Sequence, residues 1–198
     1  MKLAILGGGG FRVPLVYGAV LRDMSGGRVD AVSLYDVAPD RLEAIDQVTR
    51  QMAQEQSAQG VTARGHGVAP TVETTPDLDR ALDGADFVFS AIRVGGLEGR
   101  IADEGVALDL GLLGQETTGP GGLAYGMRTV PVAIHIAERI ARICPKAWVI
   151  NFTNPAGMIT EAMQQVLGDR VVGICDTPIG LGRRAARALG LDPDRTSM

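Results

Sequence analysis

The chain of 198 residues is long enough for one well-buried core. Its 19 basic and 23 acidic residues give a net charge of −4, so no broad cationic surface exists for a phosphate backbone and a nucleic-acid partner is excluded as an expectation. With 45% hydrophobic and 21% charged residues it reads as an ordinary soluble globular protein, apart from an excess of glycine, 27 in all.

From the start, Leu3 to Leu6 predicts a short strand, Gly7 to Gly10 a turn, and Val13 to Leu21 a helix. Ala31 to Tyr35 alternates as a strand and ends at Asp36, and Pro39 opens a charged helix running to Gln59. Thr71 to Thr74 predicts a weak strand, Leu78 to Leu82 a short helix, and Asp86 to Ser90 a buried strand. Glu98 to Leu108 is helical in pattern; a glycine-rich stretch from Gly111 to Gly122 reads as a functional loop, and Val130 to Ile143 as a longer helix. Two more strands, Trp148 to Phe152 and Val171 to Cys175, flank a helix from Pro155 to Leu167, and another helix begins near Ile179. Such alternation implies a Rossmann-type, doubly wound α/β fold, a mainly parallel sheet with helices on both faces and ligands beyond the carboxyl ends of the strands.

The opening Met1-Lys2-Leu3-Ala4-Ile5-Leu6 runs straight into glycine, too short for a signal peptide or membrane span, so a cytoplasmic protein with no membrane partner is expected. Two cysteines, Cys144 and Cys175, make neither a disulfide framework nor a tetrahedral cysteine zinc site by themselves. The histidines suggest no chemistry: His66 lies in a glycine-flanked loop and His135 in a helix without a histidine at i+4.

Glycine directly after the first strand lets the backbone approach a pyrophosphate, whose charge the turn amides and the next helix's N-terminus attract. The G-x-G-x-x-G pattern is incomplete, because Gly8 and Gly10 fill its first two places and Val13 stands at the third. Asp36, at the end of the second strand, suits the ribose hydroxyls of NAD and repels the 2′-phosphate of NADP. A tight turn and a solvated aspartate in another doubly wound protein fit these two features as well. Ala91-Ile92-Arg93-Val94-Gly95-Gly96 can lie along a cofactor, with Arg93 a forked donor for carboxylate or phosphate or simply a surface charge. Gly114 to Gly122 is too glycine-rich for a helix interior and either orders around a ligand or stays a surface loop. Asn154 faces a sugar hydroxyl or caps the helix that Pro155 opens. Cys175 and Asp176 close the sixth strand at the same sheet edge as the glycine turn, where a small core cysteine is the commoner case.

Taken together, Gly7-Gly8-Gly9-Gly10, Ala91 to Gly96, Gly114 to Gly122, Asn151-Phe152-Thr153-Asn154-Pro155-Ala156-Gly157 and Gly173-Ile174-Cys175-Asp176 resemble glycoside hydrolase family four in order and spacing. The Asn151 to Gly157 context is similar to its 6-phospho-β-glucosidase branch. The resemblance implies NAD, a divalent metal, usually Mn²⁺, a phosphorylated disaccharide or glycoside as partner, and a homo-oligomer. It implies hydrolysis by NAD-mediated oxidation at C3, deprotonation at C2 and elimination at C1, with hydride returned at the end. By position, Gly8, Gly9, Gly10, Phe11, Arg12, Asp36, Ile92 and Arg93 are the implied cofactor contacts. Arg93 and Asn154 are the implied substrate contacts, Cys175 the implied metal ligand and Asp176 the implied catalytic acid. An aspartate at Asp176 goes with α-linked substrates in that family, against the β-like context around Asn154. Residues 1–198 are then expected to be the NAD-binding Rossmann-like domain without the family's C-terminal catalytic domain, and inactive alone. A histidine metal ligand and a tyrosine base have no counterpart here, and lost packing against that second half would favour self-association. The alternatives are an NAD-dependent 2-hydroxy acid dehydrogenase and a non-catalytic nucleotide-binding module.

Overall fold

The computed structural model describes residues 1–23, 25–58, 68–175 and 177–193. Short runs rich in apolar and β-branched residues give six strands among these residues. They are β1 (Lys2–Leu6), β2 (Ala31–Tyr35), β3 (Thr71–Thr75), β4 (Phe87–Ser90), β5 (Trp148–Asn151) and β6 (Val171–Gly173). The sheet order is β3-β2-β1-β4-β5-β6, and every adjacent pair is parallel. The connecting helices are α1 (Val13–Arg22), α2 (Pro39–Ala58), α3 (Leu78–Leu82), α4 (Gly96–Asp109), α5 (Gly119–Ile143) and α6 (Ala156–Leu167), with α7 (Thr177–Ala188) after β6. The fold is the Rossmann-type doubly wound α/β architecture expected from the alternation.

The period of two along β1 divides the core. Leu3 and Ile5 join Val32 and Leu34 of β2, Val13 and Tyr17 of α1 and Leu42 of α2 on one face. Ala4 and Leu6, one residue out of step, join Val88, Val149, Ile136 and Ile140 of α5 and Met163 of α6 on the other. Both faces are covered, as parallel sheets require, and each fully buried Leu, Ile or Met contributes roughly 1.5–3 kcal/mol. The register then sets the position of the functional edge. Leu6 is level with Tyr35 and with Ser90, Ser90 with Asn151, and Asn151 with Gly173. The strand tips form one row, and the chain runs out from β1 in opposite directions on its two sides, which opens a crevice above it.

Three local expectations change. Helix α5 begins at Gly119, not Val130, and absorbs the glycine-rich segment's last residues. Gly121 and Gly122 serve close approach rather than turning: a Cβ on Gly121 would lie 2.3 Å from the carbonyl oxygen of Gln115, and one on Gly122 2.4 Å from the carbonyl carbon of Thr117. Pro131, suited to a first helical turn, lies inside the helix instead. Helix α6 has Pro155 at its N-cap and no side-chain cap hydrogen bond, so Asn154 does not cap it, and the Asn154–Pro155 peptide is cis. Strand β6 ends at Gly173, which leaves Cys175 two residues beyond the sheet.

Two glycine substitutions separate packing from helix propensity. Gly105→Ala in α4, where nothing lies within 4 Å of a new Cβ, is expected to raise stability by about 0.5–1 kcal/mol. Gly122→Ala is expected to lower it by about 1–3 kcal/mol, because the collision is with backbone. Thermal melts of both variants check this, and a stabilised Gly122→Ala would show that the helix does not press on the loop before it.

Candidate functional site

The bend after β1 is fixed by main-chain contacts on both sides. The N–H groups of Gly7 and Gly8 donate to the Tyr35 carbonyl at 2.9 and 2.7 Å, and Gly10 N–H donates to the Gly7 carbonyl at 2.9 Å. A Cβ on Gly8 would lie 2.8 Å from the Tyr35 nitrogen, and one on Gly9 2.5 Å from Cβ of Arg41, so β2 and α2 press directly on the turn. Asp36 joins the same structure: its Oδ2 accepts from Gly9 N–H at 2.9 Å and its Oδ1 from Ala38 N–H at 3.1 Å. A carboxylate offers about four lone-pair directions, so each oxygen keeps one for a further donor such as a hydroxyl. Phe11 is exposed, and the Arg12 guanidinium lies over the rings of Phe11 and Phe152 at 5.2 and 4.3 Å. Phe152 in turn stacks on Phe89 at 5.9 Å.

The β4 and β5 tips are locked by buried polar groups that sequence reasoning missed. Asn151 Oδ1 accepts from Thr153 N–H at 3.1 Å, and its Nδ2 donates to the Thr153 carbonyl at 3.2 Å and to Thr160 Oγ1 at 3.0 Å. Thr153 Oγ1 is 3.2 Å from Ser90 Oγ and accepts from Ile92 N–H at 3.1 Å. Each of these buried groups is satisfied, the condition for a polar network to rigidify rather than destabilise. Ile92 and Arg93 therefore leave β4 from a fixed point, and half-buried Asn154 leaves β5 beside it. The only advance signal was polar residues ending otherwise apolar strands.

A second polar cluster holds the Arg93 loop from the far side. Arg128 of α5 makes a forked ion pair with Asp103 of α4, and its Nε donates to the Val94 carbonyl at 3.1 Å. Asp103 is 5% exposed and Arg128 30%. Room for the guanidinium comes from Gly95 and Gly99, where a Cβ would come within 2.9 and 3.0 Å of it. Hydrogen bonding to Asp103 raises the Arg128 pKa. Arg93 pairs with Glu116, and its guanidinium lies over buried Tyr125 at 5.2 Å. Burial is the main reason that the Tyr125 phenol is pushed up. Sequence separation hid both pairs, since each joins residues from different elements.

Cys175 is exposed, while Cys144 is buried at the end of α5, where burial raises its thiol to about 11. Among the described residues no three His, Cys, Asp or Glu side chains come together as a metal-binding group. Asp176 and His66 lie outside the described residues. Gly8 to Arg12, Asp36, Ile92, Arg93, Asn154 and Cys175 all follow the carboxyl ends of strands, on one edge of the sheet.

Residues 2–191 match the profile described as Family 4 glycosyl hydrolase. The chain belongs to that family. A Bacillus subtilis (strain 168) relative of this family 4 chain, named "Probable 6-phospho-beta-glucosidase", is 37% identical over 201 residues, which cover 100% of the chain and 43% of the relative. The 6-phospho-alpha-glucosidase from gut microorganisms, solved in complex with NAD and Mn²⁺, superposes with a TM-score of 0.84 at 30% identity over 98% of the chain and 42% of that structure. The Thermotoga maritima 6-phospho-beta glucosidase with NAD and glucose-6-phosphate gives 0.81 at 29% identity, over 98% and 44%. The chain thus spans about two fifths of the length of these relatives. A lactate dehydrogenase from Eimeria maxima, at 18% identity and a TM-score of 0.62, shares the fold alone.

Removing the Asp103 carboxylate strands Arg128 and frees the Val94 carbonyl. Asp103→Ala is expected to cost about 2 kcal/mol, below the usual figure for a fully buried pair because Arg128 retains some water. Denaturant unfolding measures it; an unchanged midpoint would remove Arg128 as the anchor of the Arg93 loop.

Proposed function

We propose that this chain is the NAD-binding Rossmann-like domain, residues 1–198, of a 6-phospho-β-glucosidase acting by oxidation at C3, deprotonation at C2 and elimination at C1. The observation that carries the reading is the glycine bend tied to Asp36, set on the same sheet edge as Arg93 and Asn154. When bound, NAD supplies a reversible hydride acceptor. The residues present suit it: the bend has no side chains beyond Cα to obstruct a pyrophosphate, and Asp36 has a lone pair left on each oxygen for ribose hydroxyls. Ile92 lies along the cofactor, while Phe11 and Arg12 flank its phosphates. Arg93 and Asn154 hold the phosphorylated sugar, and Asp176 is the acid.

Mn²⁺ fits less well. The described residues offer Cys175 as one donor and no set of three, so they do not form a complete metal site by themselves. We therefore expect the 198-residue chain to bind NAD and glycoside phosphate without turnover.

The β preference rests on the similarity to the Bacillus subtilis relative across the whole chain. Exposed Leu113, Leu123 and Met127 near the start of α5 favour a homo-oligomer. A phosphorylated sugar as substrate supports a cytoplasmic location; separately, no described helix is long and apolar enough to cross a membrane. Nucleic acid has no place in this reading.

Calorimetry of the chain tests the cofactor assignment. NAD is expected to bind and NADP to bind far more weakly, with Asp36→Ala losing about ten- to a hundredfold in NAD affinity, as for hydrogen bonds to a charged group. Equal affinity for both nucleotides, or an unaffected Asp36→Ala, would reject the bend as an NAD site. In a separate assay with NAD and Mn²⁺ present, the chain is expected to release no nitrophenol from p-nitrophenyl 6-phospho-β-glucoside. Release above the enzyme-free rate would show that residues 1–198 suffice for catalysis.

A further inference from the structure

Arg93 leaves the tip of β4 as a long side chain that is 36% exposed, so water reaches its ion pair with Glu116, and that pair alone holds the guanidinium loosely. A second contact constrains it. The guanidinium carbon lies over the Tyr125 ring, 5.2 Å from its centroid and within reach of a cation–π attraction. Where Arg93 is exposed and flexible, Tyr125 is 1% exposed and belongs to helix α5.

The same ring meets a second cation. Arg128, three residues on and so on the same helix face, has its guanidinium carbon 5.7 Å from the ring centroid. Arg128 is fixed, because Asp103 takes two of its donors and the Val94 carbonyl a third. The ring is thus packed against one immobile cation and offers its π electrons to a mobile one. Burial keeps the phenol neutral, since it raises the Tyr125 pKa against the opposing pull of the two guanidinium groups. The support is therefore the quadrupole of the ring and not a phenolate charge.

We propose that Tyr125 is a positioning residue for Arg93, its buried ring being the platform that fixes the plane of the Arg93 guanidinium. That this orients the fork for a phosphorylated sugar rests on the function proposed above, whereas the platform itself does not. A guanidinium binds two oxygens at once only when its plane matches theirs, and one already oriented loses less freedom on binding. Both contacts are to the ring, which phenylalanine also has. An aliphatic side chain fills the space without holding the cation.

Two measurements on the 198-residue chain test the proposal. By NMR without ligand, the Arg93 Nε–H proton, shielded by the ring beneath it, is expected to move downfield in Tyr125→Leu and to keep its place in Tyr125→Phe. By calorimetry, Tyr125→Leu is expected to bind glucose 6-phosphate about three- to tenfold more weakly than the parent, and Tyr125→Phe to stay within about twofold. Melting temperature is not the readout, because shortening a buried ring lowers it in any case. If Tyr125→Leu does not fold, Tyr125→Met, whose flexible side chain fills irregular core space, takes its place with the same expectations. An Arg93 signal that stays put in the folded aliphatic variant overturns the proposal. So does a moved signal with unchanged affinity, since the orientation then has no bearing on binding. Equal losses in Tyr125→Phe and the aliphatic variant overturn it too, because the hydroxyl and not the ring is then the contact. If the signal responds as expected but the parent chain does not bind glucose 6-phosphate, the platform stands and the assignment of Arg93 to a phosphorylated sugar fails.

Discussion

The chain leaving β1 has to turn within Gly7 to Gly10 while β2 and β4 press on it from either side. A Cβ on Gly7 would lie 2.5 Å from the Ala91 carbonyl oxygen after β4, and one on Gly8 2.8 Å from the Tyr35 nitrogen at the end of β2. Gly7 also has φ +88°, a conformation that side chains other than glycine's seldom adopt. This crowding is what brings Asp36 within hydrogen-bonding distance of Gly9 and sets the Ile92–Arg93 segment close to the same bend. The level register of the strand tips follows from the same packing, because neither neighbour of β1 can slide without meeting the turn.

Most of the architecture was readable from the residues because hydrophobic period and chain order carry it. Five of the strands, β1 to β5, fall within one residue of where alternation and glycine boundaries put them. Helix α5 was misread at its start for a physical reason: glycine in a sequence signals either a turn or a close contact, and only the neighbour across space distinguishes the two. Gly121 and Gly122 are of the second kind. Asn154 was similarly ambiguous, since a cap and a ligand contact need the same residue type, and the N-cap of α6 proves to be Pro155. The end of β6 was overextended because Ile174 and Cys175 are apolar enough to continue a strand.

The site was legible in its first half and opaque in its second. Gly8 to Gly10 and Asp36 announce themselves by spacing within one strand–turn–helix–strand unit. Asp103, Glu116, Tyr125 and Arg128 do not, because nothing local links a carboxylate in one helix to a guanidinium in the next. Ser90, Asn151 and Thr153 form an intermediate case: polar side chains at the ends of buried strands must find partners, so their presence implies a network without saying what it holds. That network carries the Ile92 amide, and through it the start of the Arg93 loop.

The bare contact between α5 and the segment before it has a mechanical consequence. Because Gln115 and Thr117 abut the main chain of Gly121 and Gly122 with no side chain as a cushion, the backbone on both sides of Glu116 is braced by a stiff column of helix. Any rearrangement at that carboxylate is then confined to rotation about its own side-chain bonds, a nanosecond-scale swing in place of a slow loop excursion.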